Sequence, residues 1–491
     1  MIGLSLGFFR PPAVLLMSSS PTDTLNEPDM IENVTFDELQ IGQTARLVRT
    51  LSQDDIRAFA AVSGDTNPAH LDQAYADASM FHGVIAHGMW GGALISAVLG
   101  TTLPGPGTIY MEQSLRFSRP VRIGDTLTVT VTVLTKEPEK KRVELDCVVT
   151  NQHGDKVLSG VAKVLAPTEK VRQPRIHAPH IQLFDPEARL KALLAQGQGL
   201  SAVRCGVVHP CHAGALEGAL RAAREGLIEP VLIGPPERIR ETAELAGLDL
   251  QGIELIAAPH SAAAAATAAV LAAEGKVEAL MAGSLRKDEL LAAVQAVPAL
   301  HTRRRLSHVF RFDVPTYAKP LLLTDAVLHA APTLAEKADI ARNAMDLARI
   351  MGVETPRVAV LSAAEEIDAS VPSSIDAASL CKMAERGQIA GGLIDGPLAF
   401  DSAVSAQSAH DKHPRSPVAG QADVLLAPDM ETASMLGRQL QYLAGATASG
   451  LIMGARVPIT LVTHRQDTAN AYLASAVLAK RLALHHRLVR P

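Results

Sequence analysis

Asp65 and His70, five residues apart in SGDTNPAHLD, are the pair of side chains in this sequence best suited to shared chemistry. A carboxylate and an imidazole can both accept protons, so a loop folding them toward one water would make a general-base pair. Between them Asn67-Pro68 forces an extended or turning path. Downstream, Ala86-His87-Gly88-Met89 opens an apolar stretch rich in small residues that reads as a helix. The free backbone N–H groups at such a helix start can bind a developing oxyanion. Singly, Asp65 reads as a turn residue, His70 as a surface histidine and Gly88 as a packing glycine. Jointly, at this spacing, they favour catalysis. His82 and His87 stay outside the chemistry, His87 at most orienting the loop.

The elements that would position these residues lie on either side. Ser52, with Asp55 three residues on, is a plausible N-cap for SQDDIRAFAAV. After the helix that follows the histidines the period changes to two. Leu127, Val129, Val131 and Val133 alternate with threonines, and Val143, Leu145, Cys147 and Val149 repeat the pattern. That alternation predicts antiparallel strands with one buried face. Asn151-Gln-His-Gly154 supplies a turn into a further strand, KVLSGVAKVLA. A helix against an antiparallel sheet is an α+β layer.

GDTNPAHLD, VIAHGM and YMEQSLRFSRPVRIGDTL together resemble the MaoC-like (R)-specific enoyl-CoA hydratases over roughly residues 34–166. The resemblance implies a hotdog fold, usually dimeric, with Asp65 and His70 as the catalytic pair. It also implies that the amide of Gly88 holds the thioester oxygen, that Asn67 steadies the loop and that Ser96 is a supporting hydrogen-bond residue. Water oriented by Asp65 and His70 would then add to C3 of a trans-2-enoyl-CoA and give an (R)-3-hydroxyacyl-CoA. A carrier-protein thioester in place of the CoA thioester is a second reading of the same site.

Prolines 167, 174, 179 and 186 among polar residues mark an interdomain linker over 167–187. Beyond it GVVHP, PVLIG, IELIA, ALMAG, RVAVLSA, GGLIDG and ADVLLAP alternate with helix-like stretches, the pattern of an α/β, mostly parallel sheet. SAAAAATAAVLAAEG is low in complexity, yet alanine is the best helix former, so a helix is expected. The stretches SHVFRFDVPTYAKPLLLTDAVLHAAPTLAEKADI, SIDAASLCKMAERGQIAGGLIDGPLAFDSAVS and SPVAGQADVLLAPDMETASML resemble the phosphate acetyl/butyryltransferase family. That resemblance implies two α/β subdomains around a cleft, with the last residues returning to the first subdomain. It implies reversible acyl transfer between CoA and phosphate. By it Arg465 would hold phosphate, Asp467 would draw the thiol proton, and Ser307, Asp325, Lys382 and Asp395 would bind substrate. His464 stands where the family commonly has serine, and Ala282 where it has lysine, with Arg286 and Lys287 nearby. These departures leave open an active hydratase fused to a catalytically degenerate module that binds CoA or acyl phosphate. Arg303-Arg304-Arg305 reads equally as an anion site and as a solvated face.

The expected architecture is therefore a hotdog domain (α+β) over 31–166, behind an extension at 1–30, and an α/β two-subdomain phosphate acyltransferase-like domain over 188–491. Across 491 residues, 47% are hydrophobic and the net charge is −5, which argues against disorder and against nucleic acid as a partner. Cys147, Cys205, Cys211 and Cys381 form no CxxC, so free thiols in a reducing cytoplasm are expected and no metal site. No apolar run reaches the ~18 residues of a membrane span, and no GxGxxG joins a strand to a helix. No cofactor is implied beyond acyl-CoA and phosphate as substrates, and a homo-oligomer is expected.

Overall fold

The computed structural model describes residues 29–176, 184–461, 469–489 and 491. The chain divides into two compact units, Met1–Leu183 and Phe184–Pro491. The expected extension lies outside the described residues as far as 28, and Met30 already belongs to a strand.

In the first unit, strand β1 (Met30–Glu32) and β2 (Thr44–Thr50) precede helices α1 (Gln53–Ser63), α2 (Pro68–Leu71), α3 (Gln73–Ala78) and α4 (Gly88–Thr101). Strands β3 (Ile109–Gln113), β4 (Arg116–Phe117), β5 (Thr126–Glu137), β6 (Arg142–Thr150), β7 (Lys156–Leu165) and β8 (Arg172–Pro174) follow. The antiparallel sheet runs β2-β5-β6-β7-β3, with β4 on β7. In β5 as far as Val133, and throughout β6, every second residue is buried, as the alternation predicts. That face covers Trp90, Ile95, Val98 and Leu99 of α4. Gly160 on β7 is required by close approach, since a Cβ there would sit 1.8 Å from the Ser114 carbonyl oxygen. Ser52 caps α1 in a full capping box with Asp55, again as predicted.

The expected linker over 167–187 needs correction. Its first half belongs to the first unit: Pro167 accepts a hydrogen bond from the Phe36 N–H, and β8 pairs with β1. Its last residues start a helix, with Asp185 capping α5 (Pro186–Ala195). Prolines mark boundaries of regular structure, and here they flank a short edge strand as well as a helix N-terminus.

The second unit continues with β9 (Val203–Val208), α6 (Ala213–Arg224), β10 (Ile228–Gly234), α7 (Pro236–Leu245) and β11 (Glu254–Ala257). Next come α8 (Ser261–Ala273), β12 (Ala279–Ala282), α9 (Lys287–Gln295), β13 (Ser307–Asp313), β14 (Leu321–Thr324), α10 (Leu334–Ile350) and β15 (Arg357–Leu361). Helix α11 (Pro372–Glu385), β16 (Leu393–Leu398), α12 (Phe400–Val404), α13 (Ala406–Lys412), β17 (Val424–Leu426) and α14 (Met430–Tyr442) lead to β18 (Thr447–Met453), β19 (Ile459–Thr460) and α15 (Ala469–Leu488). The sheet order is β11-β10-β9-β12-β19-β18-β13-β14-β17-β15-β16. The five strands from β11 to β19 are parallel, as are the four from β14 to β16. Between them β18 and β13 are joined antiparallel, so the two parallel halves run in opposite directions. The periodicity predicts the parallel halves but not this antiparallel seam.

Helix α15 returns to the first half and packs on α6 and α5. Within it Lys480, 1% exposed, donates to the carbonyls of Gly197 (2.9 Å), Leu200 (2.9 Å) and Gly226 (2.8 Å). One ammonium thereby satisfies carbonyls just beyond the ends of α5 and α6. Lys480→Met should strand these acceptors and destabilise the second unit by about 3 kcal/mol. Trp90, the single tryptophan, lies in the first unit. Thermal melts should therefore show an earlier circular-dichroism transition while the Trp90 fluorescence transition stays in place.

Candidate functional site

Helix α1 ends at Gly64, whose φ of 74° closes the helix with its N–H on the Ala60 carbonyl. The chain then turns through Asp65. The Asn67 N–H donates to Asp65 Oδ1 at 3.2 Å, and Asn67 Oδ1 accepts from the Ala69 N–H at 3.0 Å. Asn67 is thus the N-cap of α2, with Pro68 in its first turn. The extended path expected at Asn67-Pro68 is only one residue long before that helix starts. The helix carries His70 toward the first unit's interior, where His70 Nδ1 lies 2.9 Å from the Ile85 carbonyl oxygen. A carbonyl only accepts, so Nδ1 carries a proton, and in the neutral ring Nε2 is then the acceptor.

Helix α4 begins opposite. His87 is its N-cap but makes no side-chain cap bond. It lies 3% exposed, with its ring centroid 3.9 Å from that of His70. One ligand-type atom from each of Asp65, His70 and His87 lies within 4.8 Å of the others. Among the described residues this is the group whose chemistry and spacing could hold a metal ion. A cavity of about 330 Å³ adjoins it, lined by His70, Phe81, Gly88, Trp90, Phe117 and Leu158 among others. Its walls are mainly apolar and aromatic, with the first turn of α4 at one side. A Cβ on Gly88 would approach Phe117 to 3.0 Å, so glycine keeps that side open. Ser96 does not line this cavity and is exposed on the outer face of α4.

In the second unit, Ser307 opens β13 fully buried, accepting from Asn343 Nδ2 at 2.8 Å. Asp325 follows β14 at the same end of the sheet, since Val309 pairs with Thr324. Its Oδ1 accepts from the Val327 and Leu328 N–H groups, and its Oδ2 lies 2.8 Å from His329 Nδ1. His329 lines a cavity of about 600 Å³ with His301, Arg304 and Arg305. Arg304 and Arg305 therefore border this pocket while pairing with Asp346 and Asp339, and Arg303 lines a second cavity with Arg304.

Lys382 is exposed on α11 and pairs with Glu385 at 2.6 Å. Asp395 on β16 accepts from the Gly396 N–H and the Ser416 hydroxyl. Neither lines that cavity. Ala282 is buried at the end of β12, and Lys287 bonds the Val327 carbonyl at 2.7 Å. Arg465, Asp467 and His464 lie outside the described residues. Sequence reasoning passed over His329, although its spacing of four from Asp325 was a readable signal.

Burial raises the thiols of Cys147 to about 11, of Cys205 to about 12 and of Cys381 to about 12. They stay protonated and are poor nucleophiles.

The Asp325 hydrogen bond raises His329 above the ordinary 6.5. A raised folded value means the pair stabilises the fold fully below the unfolded histidine value and loses that contribution as pH rises through the folded one. The His329 ring resonances should titrate with a midpoint above 6.5. In Asp325→Asn that midpoint should fall back.

Residues 38–154 match the family described as "MaoC like domain", and residues 256–479 match "Phosphate acetyl/butaryl transferase". The chain is 49% identical over 282 residues to a phosphate acetyltransferase of Rhizobium meliloti, covering 57% of this chain and 89% of that protein. It is 47% identical to an R-hydratase from Pseudomonas aeruginosa, over 32% of this chain and 100% of that one, with a TM-score of 0.31. A phosphotransacetylase from Streptococcus pyogenes, 20% identical, shares the fold with a TM-score of 0.52 over 62% of this chain and 100% of that one. The identity to the phosphate acetyltransferase of Rhizobium meliloti over most of that protein's length, with the two family matches, leads to one conclusion: the chain belongs to the phosphate acetyltransferase family and carries a MaoC like domain ahead of its transferase portion.

Proposed function

We propose that the chain catalyses two reactions of acyl-CoA thioesters, one in each unit. The first is hydration of a trans-2-enoyl-CoA to an (R)-3-hydroxyacyl-CoA. The observation that carries it is the approach of the exposed Asp65 carboxylate to His70 and His87, with His70 and the start of α4 lining one mainly apolar cavity. His70 Nε2 and the Asp65 carboxylate take a proton from water as its oxygen bonds to C3. The electron pair of the double bond moves toward the thioester oxygen, where the Gly88 N–H supplies a fixed dipole. One such donor is worth roughly 3–4 kcal/mol in comparable sites. The proton then passes to C2, so water is added in full. The aromatic walls suit an acyl chain.

The second reaction is reversible acyl transfer: a phosphate oxygen attacks the thioester carbonyl, the carbon–sulfur bond breaks, and CoA leaves. Family membership supports it, together with the guanidinium and imidazole groups of Arg304, Arg305 and His329 around one cavity, a setting for an anion. Arg465 is the proposed phosphate holder, and in the reverse direction, in which the CoA thiol attacks the acyl phosphate and phosphate leaves, Asp467 is the proposed acceptor of the thiol proton. Substrates of this kind fit a cytoplasmic setting.

A dimer is the oligomer we propose. Ile109 (59% exposed), Tyr110 and Met111 lie on β3, the terminal strand of the first sheet, and Met89 and Ser96 lie on the uncovered face of α4. Such an edge and apolar face call for a partner.

Two measurements check these readings. Asp65→Asn should lower crotonyl-CoA hydration by about 100-fold or more, the scale of general-base catalysis, while leaving phosphate-dependent CoA release intact. Hydration at the wild-type rate would sink the site assignment, and absence of CoA release in the wild-type chain would sink the transfer reading. Light scattering should give twice the chain mass of 51.8 kDa, with Met111→Lys shifting it toward the monomer.

A further inference from the structure

His87 precedes the proposed oxyanion donor, and the hydration step as written gives it no task. Its residue type is not explained by the helix it starts. An N-cap is ordinarily Ser, Thr, Asp or Asn, whose side chain accepts from the first turn. Here the imidazole makes no such bond. Its Nε2 instead reaches back to the main-chain carbonyl of Asp65, 2.9 Å away across twenty-two residues. That carbonyl can only accept, so Nε2 carries the proton. Its Nδ1 is buried without a hydrogen-bond partner among the described residues. The ring is held between Phe59, at 5.1 Å, and His70, at 3.9 Å between centroids. Fold stability alone would favour a residue that satisfies all its own polar atoms and the helix start, whereas this one leaves Nδ1 unpaired and makes no cap bond.

We infer that His87 is a positioning residue for the hydration, an inference that rests on the reading of Asp65 and His70 as the water-activating pair. Through Nε2–H it fixes the main chain of Asp65, and through its ring face it backs the imidazole of His70. Gly88 is its covalent neighbour. One side chain thereby sets the distance between the groups that activate water and the N–H that receives negative charge. These groups otherwise sit on separate elements, the α1–α2 turn and the start of α4.

The test uses the full chain with His87→Phe, His87→Gln and His87→Asn, assayed for crotonyl-CoA hydration and for melting of the first unit by Trp90 fluorescence. Phe keeps the ring and loses the donor. Gln places an amide nitrogen near the Nε2 position, whereas Asn places one near Nδ1. A misplacement of about 1 Å costs on the order of 100-fold in rate, so His87→Phe should lower kcat by about that factor and leave KM within about threefold. His87→Gln should recover at least about tenfold of the loss, and His87→Asn should recover none.

Wild-type kcat in folded His87→Phe would overturn the inference, as would rescue by Asn equal to that by Gln. Equal inactivity of the Gln and Phe variants in folded protein would also overturn it, assigning His87 to proton transfer. If the Phe variant fails to fold, the Gln-to-Asn comparison decides. Asp65→Asn run alongside separates the two claims: its full activity would remove the underlying site, whereas its inactivity beside an indifferent His87 removes the positioning role alone.

Discussion

An α-helix cannot satisfy the N–H groups of its own first turn, and the first unit is arranged around that fact. Helix α4 is apolar enough to be buried against the sheet by Trp90, Ile95, Val98 and Leu99. Burial of that face fixes where its N-terminus stands. The residue before it, His87, spends its side chain on the Asp65 carbonyl and makes no cap bond to the helix. The open end of the helix is thus delivered beside a carboxylate and an imidazole. An unpaired buried acceptor such as His87 Nδ1 costs about 1–3 kcal/mol, and the fold tolerates it at this one place in the site.

The second unit solves a different problem. Two parallel half-sheets running in opposite directions have to share a core, and β13 with β18 forms the antiparallel join. Parallel strands are buried on both faces and read as continuous apolar runs, which β14 and β17 show. Strand β13 is buried throughout and yet carries Arg311 and Asp313, paired through the two terminal guanidinium nitrogens. A buried pair of this kind gives little net stability, but removal of one partner leaves an uncompensated charge. Ser307 belongs to the same logic: its hydroxyl is committed to Asn343 inside the core. The family resemblance made it a substrate-binding candidate, and the fold gives its hydroxyl a buried partner in Asn343.

Legibility in the sequence followed the range of the interactions. Capping at Ser52, the alternation in β5 and β6, and the helix of SAAAAATAAVLAAEG are local, and each appears where the pattern puts it. The antiparallel seam was not legible, because a buried strand looks the same whichever way its neighbour runs. The linker was misread in part, because a proline between polar residues marks an edge strand as readily as a free connection. Ser96 and Lys382 carry chemistry-bearing groups, but both face outward. Helical rotation decides that, and it is set by which face the core takes.

The sequence by itself determined the two kinds of architecture, their order, and the short-range part of the first site. Asp65, Asn67 and His70 lie within six residues, and turn chemistry there is a local matter. Tertiary structure decided what completes each site. His87 is twenty-two residues from Asp65, and it meets the loop only because α4 packs against the sheet. His329 and the arginines at 304 and 305 come together because β13 starts on the side where its antiparallel neighbour β14 ends. Long-range proximity depends on how apolar faces pair across the whole core, and no window of sequence contains that information.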